Sequence, residues 1–209
     1  MQQNKISILS TRPLNDSWVA EAKAAGIAID ALSFIVTEPI RSIQVQQEIE
    51  NAFLRSATVV FTSMNAAEAV ITELDDQQPD WTIYCTGNTT RQLVKKYFSE
   101  NSLAGTANSA AELGEMITKE NNTDEIIFFC GDQRRDELPE MLRSKNIDVH
   151  EIVVYQTIAT PHKIENVYDG ILFFSPSAVE SFFAKMFLHG MLFRALGQQK
   201  MSQNKRLLL

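Results

Sequence analysis

One stretch of this chain is written twice. KISILSTRPLNDSWVAEAKAAGIAIDALSFIVT, starting at Lys5, lies over EIIFFCGDQRRDELPEMLRSKNIDVHEIVVYQT, starting at Glu125, without a gap. Ile6 falls on Ile126, Ile27 on Ile147, Ile29 on Val149, Leu32 on Ile152 and Thr37 on Thr157. Each copy reads as a β-prone apolar run, a stretch of helical composition, and a second extended run. Gly26 closes the helical stretch of the first copy, where a left-handed residue is cheap only for glycine. Asn146, the next-best helix terminator, stands at that place in the second. Asp16 and Asp136 fall in the first turn of each helix, where a carboxylate meets the positive end of the dipole. The pattern is β-α-β. A chain that repeats it is constrained to parallel sheets with helices on their faces.

A second echo uses a different shift. FTSMNAAEAV (61–70) matches FFSPSAVESF (173–182) in its Phe, Ser, Ala and Glu positions. Two repeats of different pieces predict two similar α/β lobes, each a parallel sheet flanked by helices in the flavodoxin-like manner. Thr37-Glu38-Pro39-Ile40 ends the first β-α-β piece and TIATP (157–161) ends the second. Each carries a proline that discourages a continuing central strand, so both are read as interlobe crossings. The expected first lobe is discontinuous, 1–37 plus 160–209. The second is the continuous middle, 38–159.

Composition narrows the classes. A formal charge of −7 over 209 residues argues against a general nucleic-acid binder, whose footprint is basic. Cys85 and Cys130 follow the apolar runs WTIYC and IIFFC, with no CxxC or Cys/His cluster. They read as two buried free thiols, and a zinc site is not expected. The opening MQQNKISILSTRP lacks the basic head and long apolar core of a signal peptide. The apolar region from Ile171 to Leu196 is interrupted by charged and polar residues, so no membrane span is expected. A cytoplasmic protein is the expectation.

Five junctions stand at carboxyl ends of predicted strands: Ser10-Thr11-Arg12-Pro13, Thr62-Ser63-Met64-Asn65, Thr86-Gly87-Asn88-Thr89-Thr90, Gly131-Asp132-Gln133-Arg134-Arg135 and Ser175-Pro176-Ser177. Open parallel sheets bind ligands outside these ends. Each junction joins a small or hydroxylated residue to a helix N-terminus, which offers free N–H groups to anions. As a set facing one cleft, they suit a ligand with several carboxylates or phosphates. Taken singly, Ser63, Asn65, Ser175 and Ser177 are also ordinary capping residues, and Gly87-Asn88 is also an ordinary turn. No GxGxxG, GxxxxGK[ST] or GxSxG is present, and no nucleophile-base-acid set is evident.

FTSMNAAEAV, TGNTTRQL, CGDQRRDELPEML, VVYQT and FFSPSAVESF, preceded by ILSTRP, resemble the uroporphyrinogen-III synthase family in that order. The resemblance covers roughly residues 5 to 185. It implies a two-lobed fold and closure of the linear tetrapyrrole hydroxymethylbilane to uroporphyrinogen III, with inversion of ring D and loss of water. It implies no metal and no organic cofactor. A monomer is expected, with no nucleic-acid or membrane partner. Tyr155 of Val154-Tyr155-Gln156-Thr157 corresponds to the tyrosine favoured as hydrogen-bond donor to the leaving hydroxyl; a packing tyrosine is the alternative. Thr90 matches a cleft-facing threonine. Ser63, Asn65, Ser175 and Ser177 match positions whose hydroxyls or backbone N–H groups approach substrate carboxylates, and Arg12 matches the family's Thr-Arg-Pro. Thr62, Gly87, Thr89, Gly131 and Arg134 of the same strand-end junctions complete the expected substrate-binding set.

The end departs from the family pattern. HGMLFRALGQQKMSQNKRLLL follows the second Ser-x-x-Ala-Val, and Leu196-Gly197-Gln198-Gln199 stands where Ile-Gly-x-Thr-Thr is expected. The first lobe therefore reads as incomplete or divergent at its C-terminal part. One alternative function is a degenerate, non-catalytic relative that binds a tetrapyrrole or another polycarboxylate. A flavodoxin-like regulatory domain ranks last, because it needs acidic strand ends and these carry Ser, Thr, Gly and Arg.

Overall fold

The computed structural model describes residues 6–120 and 123–187, so the tail from 188 onward, with Leu196 to Gln199, lies outside the described residues. Contacts divide the chain into two compact units, one built from the segments before Ile35 and after Ala159, the other from Ile35–Ala159.

In the first unit, β1 (Ile6–Ser10), α1 (Asp16–Ala24) and β2 (Ile27–Ala31) form the first β-α-β copy. Asn15 caps α1 by accepting from Ser17 N–H, and Gly26 leaves the helix at φ 82°. β1 pairs in parallel with β2, with Ile6 opposite Ile27. On its other side it pairs in parallel with β9 (Gly170–Leu172), which feeds α7 (Pro176–Phe187). The sheet order is β2-β1-β9. Its core joins Leu9, Phe34 and Phe182, with the Phe34 and Phe182 rings edge-on at 5.2 Å.

The β1–β9 pairing is anchored at its start by Asp169. Its carboxylate accepts from the Ser7 N–H at 2.8 Å and the Ser7 hydroxyl at 3.0 Å. These bonds stabilise the ionised form and hold the Asp169 carboxyl below the usual carboxylate range. A lowered pKa means the contribution is fully present above the unfolded-state pKa and is lost as pH falls through the folded value. The melting difference between the native chain and Asp169→Asn should therefore be present at neutral pH and vanish in acid. A difference that persists below the ordinary carboxylate range would contradict this assignment.

The second unit opens with β3 (Ile35–Pro39) and α2 (Ile43–Phe53). Then come β4 (Ala57–Phe61), α3 (Met64–Ile71), β5 (Trp81–Thr86), α4 (Asn88–Tyr97), β6 (Leu103–Ala107) and α5 (Ala110–Glu120). The second β-α-β copy closes it as β7 (Glu125–Gly131), α6 (Glu137–Arg143) and β8 (Asp148–Ala159). The sheet order is β3-β8-β7-β4-β5-β6. Only the β3–β8 pair is antiparallel. Both units are α/β with parallel-dominated sheets, as the repeats predict.

From β4 onward the parallel strands lie in the order third, second, first, fourth, fifth. That is the Rossmann order without its sixth strand, not the flavodoxin order. Helices α2 and α3 cover one face with Ile49, Phe53, Ala66 and Val70. Helices α5 and α6 cover the other with Leu113, Ile117, Leu138 and Leu142. The strand order reverses between β4 and β7, which makes their carboxyl ends the topological switch point.

The second crossing, at 159/160, falls within TIATP as expected, and the first lies earlier than the proline implies. β3 is an edge strand and Pro39 is its last residue, a place where the missing N–H costs little. Thr37 is held opposite Thr157, the residue it matches in the repeat. The expected boundary at 37/38 thus falls inside β3. The two copies also differ in form. β8 runs unbroken, whereas its counterpart breaks at residues 32–34 into β2 and β3, with Phe34 fully buried at the break.

Cys85 and Cys130 are buried free thiols. Burial pushes both pKa values up to about 11, against smaller opposing effects of Arg91 and Arg134 respectively. The thiolate is the reactive form. Neither cysteine should react with a thiol reagent at pH 8 in the native state, and both should react on unfolding. Rapid native-state labelling would refute this. Among the described residues no helix is long and apolar enough to cross a membrane.

Candidate functional site

The switch point is built from two strand ends and the interior of a third strand. β4 delivers Thr62 and Ser63, β7 delivers Gly131, and β8 delivers Tyr155. Ser63 has extended backbone (φ −139°, ψ 136°) and caps α3, its Oγ accepting from Asn65 N–H at 3.2 Å. The Tyr155 phenol donates to the same Oγ at 3.1 Å. A phenol is a better donor than an alcohol, which matches that direction. The pair therefore sits at the positive N-terminal end of α3, where negative charge is favoured.

Beside this pair opens a cavity of about 360 Å³. Asn65, Glu68 and Thr72 of α3 and its end line one wall, and Leu93 and Tyr97 of α4 line another. Thr37 and Glu38 of β3 and Tyr155 complete it. Among these, only Asn65 and Tyr155 are expected site residues from the sequence. The 65, 68/69, 72 spacing of one helical face was the available signal for the α3 wall. Glu38, on an edge strand, had no such signal.

A family model described as Uroporphyrinogen-III synthase HemD matches residues 16–200. The chain belongs to the uroporphyrinogen-III synthase family. The uroporphyrinogen-III synthase of Saccharomyces cerevisiae is 30% identical over 115 residues, covering 47% of this chain and 42% of the yeast protein. Two solved structures share the fold. A mutant uroporphyrinogen III synthase from the extremely thermophilic bacterium Thermus thermophilus has a TM-score of 0.57 at 9% identity, covering 75% of this chain and 64% of that one. Uroporphyrinogen-III synthetase from Helicobacter pylori has a TM-score of 0.51 at 14% identity, covering 90% and 79%. The match thus spans less than half of the yeast relative and under two thirds of the Thermus chain.

Against that family background, the remaining expected site residues separate. Gly87 precedes α4 at φ 79°, a left-handed backbone that favours glycine, and its N–H donates to Ala107 C=O at 3.1 Å. Thr89 is exposed, but Thr90 is only 4% exposed in the first turn of α4. The Thr62 carbonyl accepts from the Thr86 hydroxyl at 3.2 Å, tying the ends of β4 and β5.

Arg134 is not free to meet a ligand. Its guanidinium donates to Glu151 and to Asp136, and Arg143 donates to the same Glu151 at 2.7 Å. Glu151 is only 14% exposed, so it needs cationic partners in place. Asp136 accordingly makes no side-chain cap for α6.

The first unit carries its own group. Arg12 lies over the Phe174 ring at 4.0 Å, and Thr11 donates to Leu172 C=O at 2.9 Å. Ser175 caps α7 by accepting from Ala178 N–H at 3.2 Å, the counterpart of the Ser63 cap. Ser177 follows inside the first turn.

Proposed function

We propose that this chain cyclises hydroxymethylbilane to uroporphyrinogen III, inverting ring D and releasing water. The observation that carries the reading is the Tyr155–Ser63 hydrogen bond at the switch point of a family member, beside a cavity of about 360 Å³. Departure of hydroxyl from a hydroxymethylpyrrole is driven by the electron-rich ring and needs a proton at the leaving oxygen. Tyr155 is the proposed donor: its O–H turns from Ser63 Oγ to the leaving oxygen, and the Ser63 hydroxyl then donates to the phenol oxygen left behind. A positioned acid of this kind contributes about 10²–10⁴-fold.

Thr62, Ser63 and Asn65 are the proposed contacts for substrate carboxylates at the α3 N-terminus, with Gly87 and Thr89 at that of α4. In the first unit, Arg12, Ser175 and Ser177 have the same proposed role. Thr90 and Arg134 fit it poorly, the first being buried and the second ion-paired. The cavity walls also hold Glu38 and Glu68, which would repel carboxylates and suit the pyrrole N–H groups instead. The reaction is drawn without a metal or organic cofactor, in the cytoplasm, by a monomer.

The test is incubation with hydroxymethylbilane, followed by oxidation and chromatography of the isomers. The reading expects the type III isomer in excess of the spontaneous type I product. Type I alone overturns it. Thermal stabilisation by uroporphyrinogen III without turnover would favour the non-catalytic binder.

A further inference from the structure

We infer that Gly131 is a positioning residue, whose missing side chain makes the space in which the Tyr155 ring lies and its hydroxyl reaches Ser63. The inference rests on the proposed role of Tyr155 but stands on separate geometry. An ideal Cβ built on Gly131 would come within 2.6 Å of Tyr155 Cε2 and 2.7 Å of its hydroxyl oxygen, and closer still to Cζ. These are separations that real carbon atoms do not adopt. Gly131 is not in a left-handed conformation, so backbone freedom does not explain glycine at this place.

The strand register supplies the second half. Along β7 and β8, Cys130 stands opposite Val153, yet Gly131 stands opposite Tyr155. Val154 is the extra residue of a β-bulge. Val154 packs into the core beneath α2 and α3, whereas Val153 packs on the opposite face. Strict alternation would send Tyr155 after Val153. The bulge instead puts Tyr155 against the same core as Val154, on the face of α3 and Ser63. Re-aiming a side chain next to a site is a recognised use of such bulges. Two hydrogen bonds hold the distortion: Asp132 N–H donates to Tyr155 C=O at 3.1 Å, and Ile40 N–H donates to Val154 C=O at 2.9 Å. The bulge turns the ring onto β7, and only glycine at 131 receives it.

The test pairs Gly131→Ala with changes at Tyr155 in the full chain. For type III formation, Gly131→Ala should lower kcat about as much as Tyr155→Phe, on the order of 10²-fold. KM should move little. The Gly131→Ala/Tyr155→Phe double variant should be no slower than Tyr155→Phe. Unchanged kcat in Gly131→Ala, or losses that multiply in the double variant, would overturn the inference.

A melting cycle covers the case in which the native chain makes no type III isomer, an outcome that defeats the activity reading alone. Gly131→Ala should lower Tm in the native background and leave it unchanged in a Tyr155→Ala background, where no ring remains to collide. An equal drop in both backgrounds would show that the ring is not what Gly131 accommodates.

Discussion

Phe129→Ala is expected to destabilise the Ile35–Ala159 unit by about 3–5 kcal/mol, read as a lowered urea midpoint with little change in slope. Phe129 lies in the interior of β7 and is fully buried. Its ring stacks on Phe61 with centroids 5.5 Å apart and planes 14° from parallel. Trp81 packs against it at 5.6 Å and against Phe53 at 5.3 Å, while its indole N–H is held by Ala52 C=O at 3.0 Å. Removing Phe129 therefore opens a hole among rings that cannot all move in, since one is anchored by a buried hydrogen bond. Domains have only about 5–15 kcal/mol in hand. A large share of the stability of this unit would go in one substitution. Phe129→Leu should lose much less, because it refills most of the volume. An alanine variant within about 1 kcal/mol of the native chain would mean that this aromatic layer collapses freely, against the close packing of protein interiors.

The repeat was the most legible part of the fold, and its details show why. Gly26 and Asn146 both adopt positive φ, at 82° and 60°, as their equivalence in the alignment requires. Ser63 and Ser175 both cap the helices that follow them, as the second echo requires. Local backbone demands of this kind are written in single residues. What was not legible depends on partners far away in sequence. Thr37 to Pro39 read as the end of one lobe because a proline discourages a central strand. The sheet instead uses them as an edge, where that restriction is lifted. Arg134 is expected at the substrate because nothing near it in sequence shows that Glu151 on β8 is nearly buried and takes both Arg134 and Arg143.

The candidate site divides in the same way. Ser63 and Asn65 are signalled by a helix start, and the α3 wall by its spacing. Tyr155 was named through a family resemblance, and the Gly131–Tyr155 contact through nothing in the sequence. It depends on a register slip of one residue between strands, which shifts a side chain from one face to the other. Alternation alone would have placed that tyrosine on the wrong side of the sheet.

Tyr155→Phe is expected to cut type III isomer formation by about 10²-fold while lowering stability by no more than about 1 kcal/mol. The small stability effect follows from the environment. The phenol is half-buried at a cavity mouth, and Ser63 Oγ keeps its bond from Asn65 N–H when Tyr155 loses its hydroxyl. Ser63→Ala differs in a way that separates the two roles of that serine. It removes the acceptor for Tyr155 and also the cap of α3, which adds about 1 kcal/mol of destabilisation. Ser63→Thr keeps a capping hydroxyl and should recover both stability and most of the rate. If the Tyr155–Ser63 pair acts as one donor, the rate losses of Tyr155→Phe and Ser63→Ala will not multiply when combined, whereas their stability losses need not follow the same rule. Turnover by Tyr155→Phe at the native rate would remove the phenol from the chemistry and leave it as a packing residue on β8.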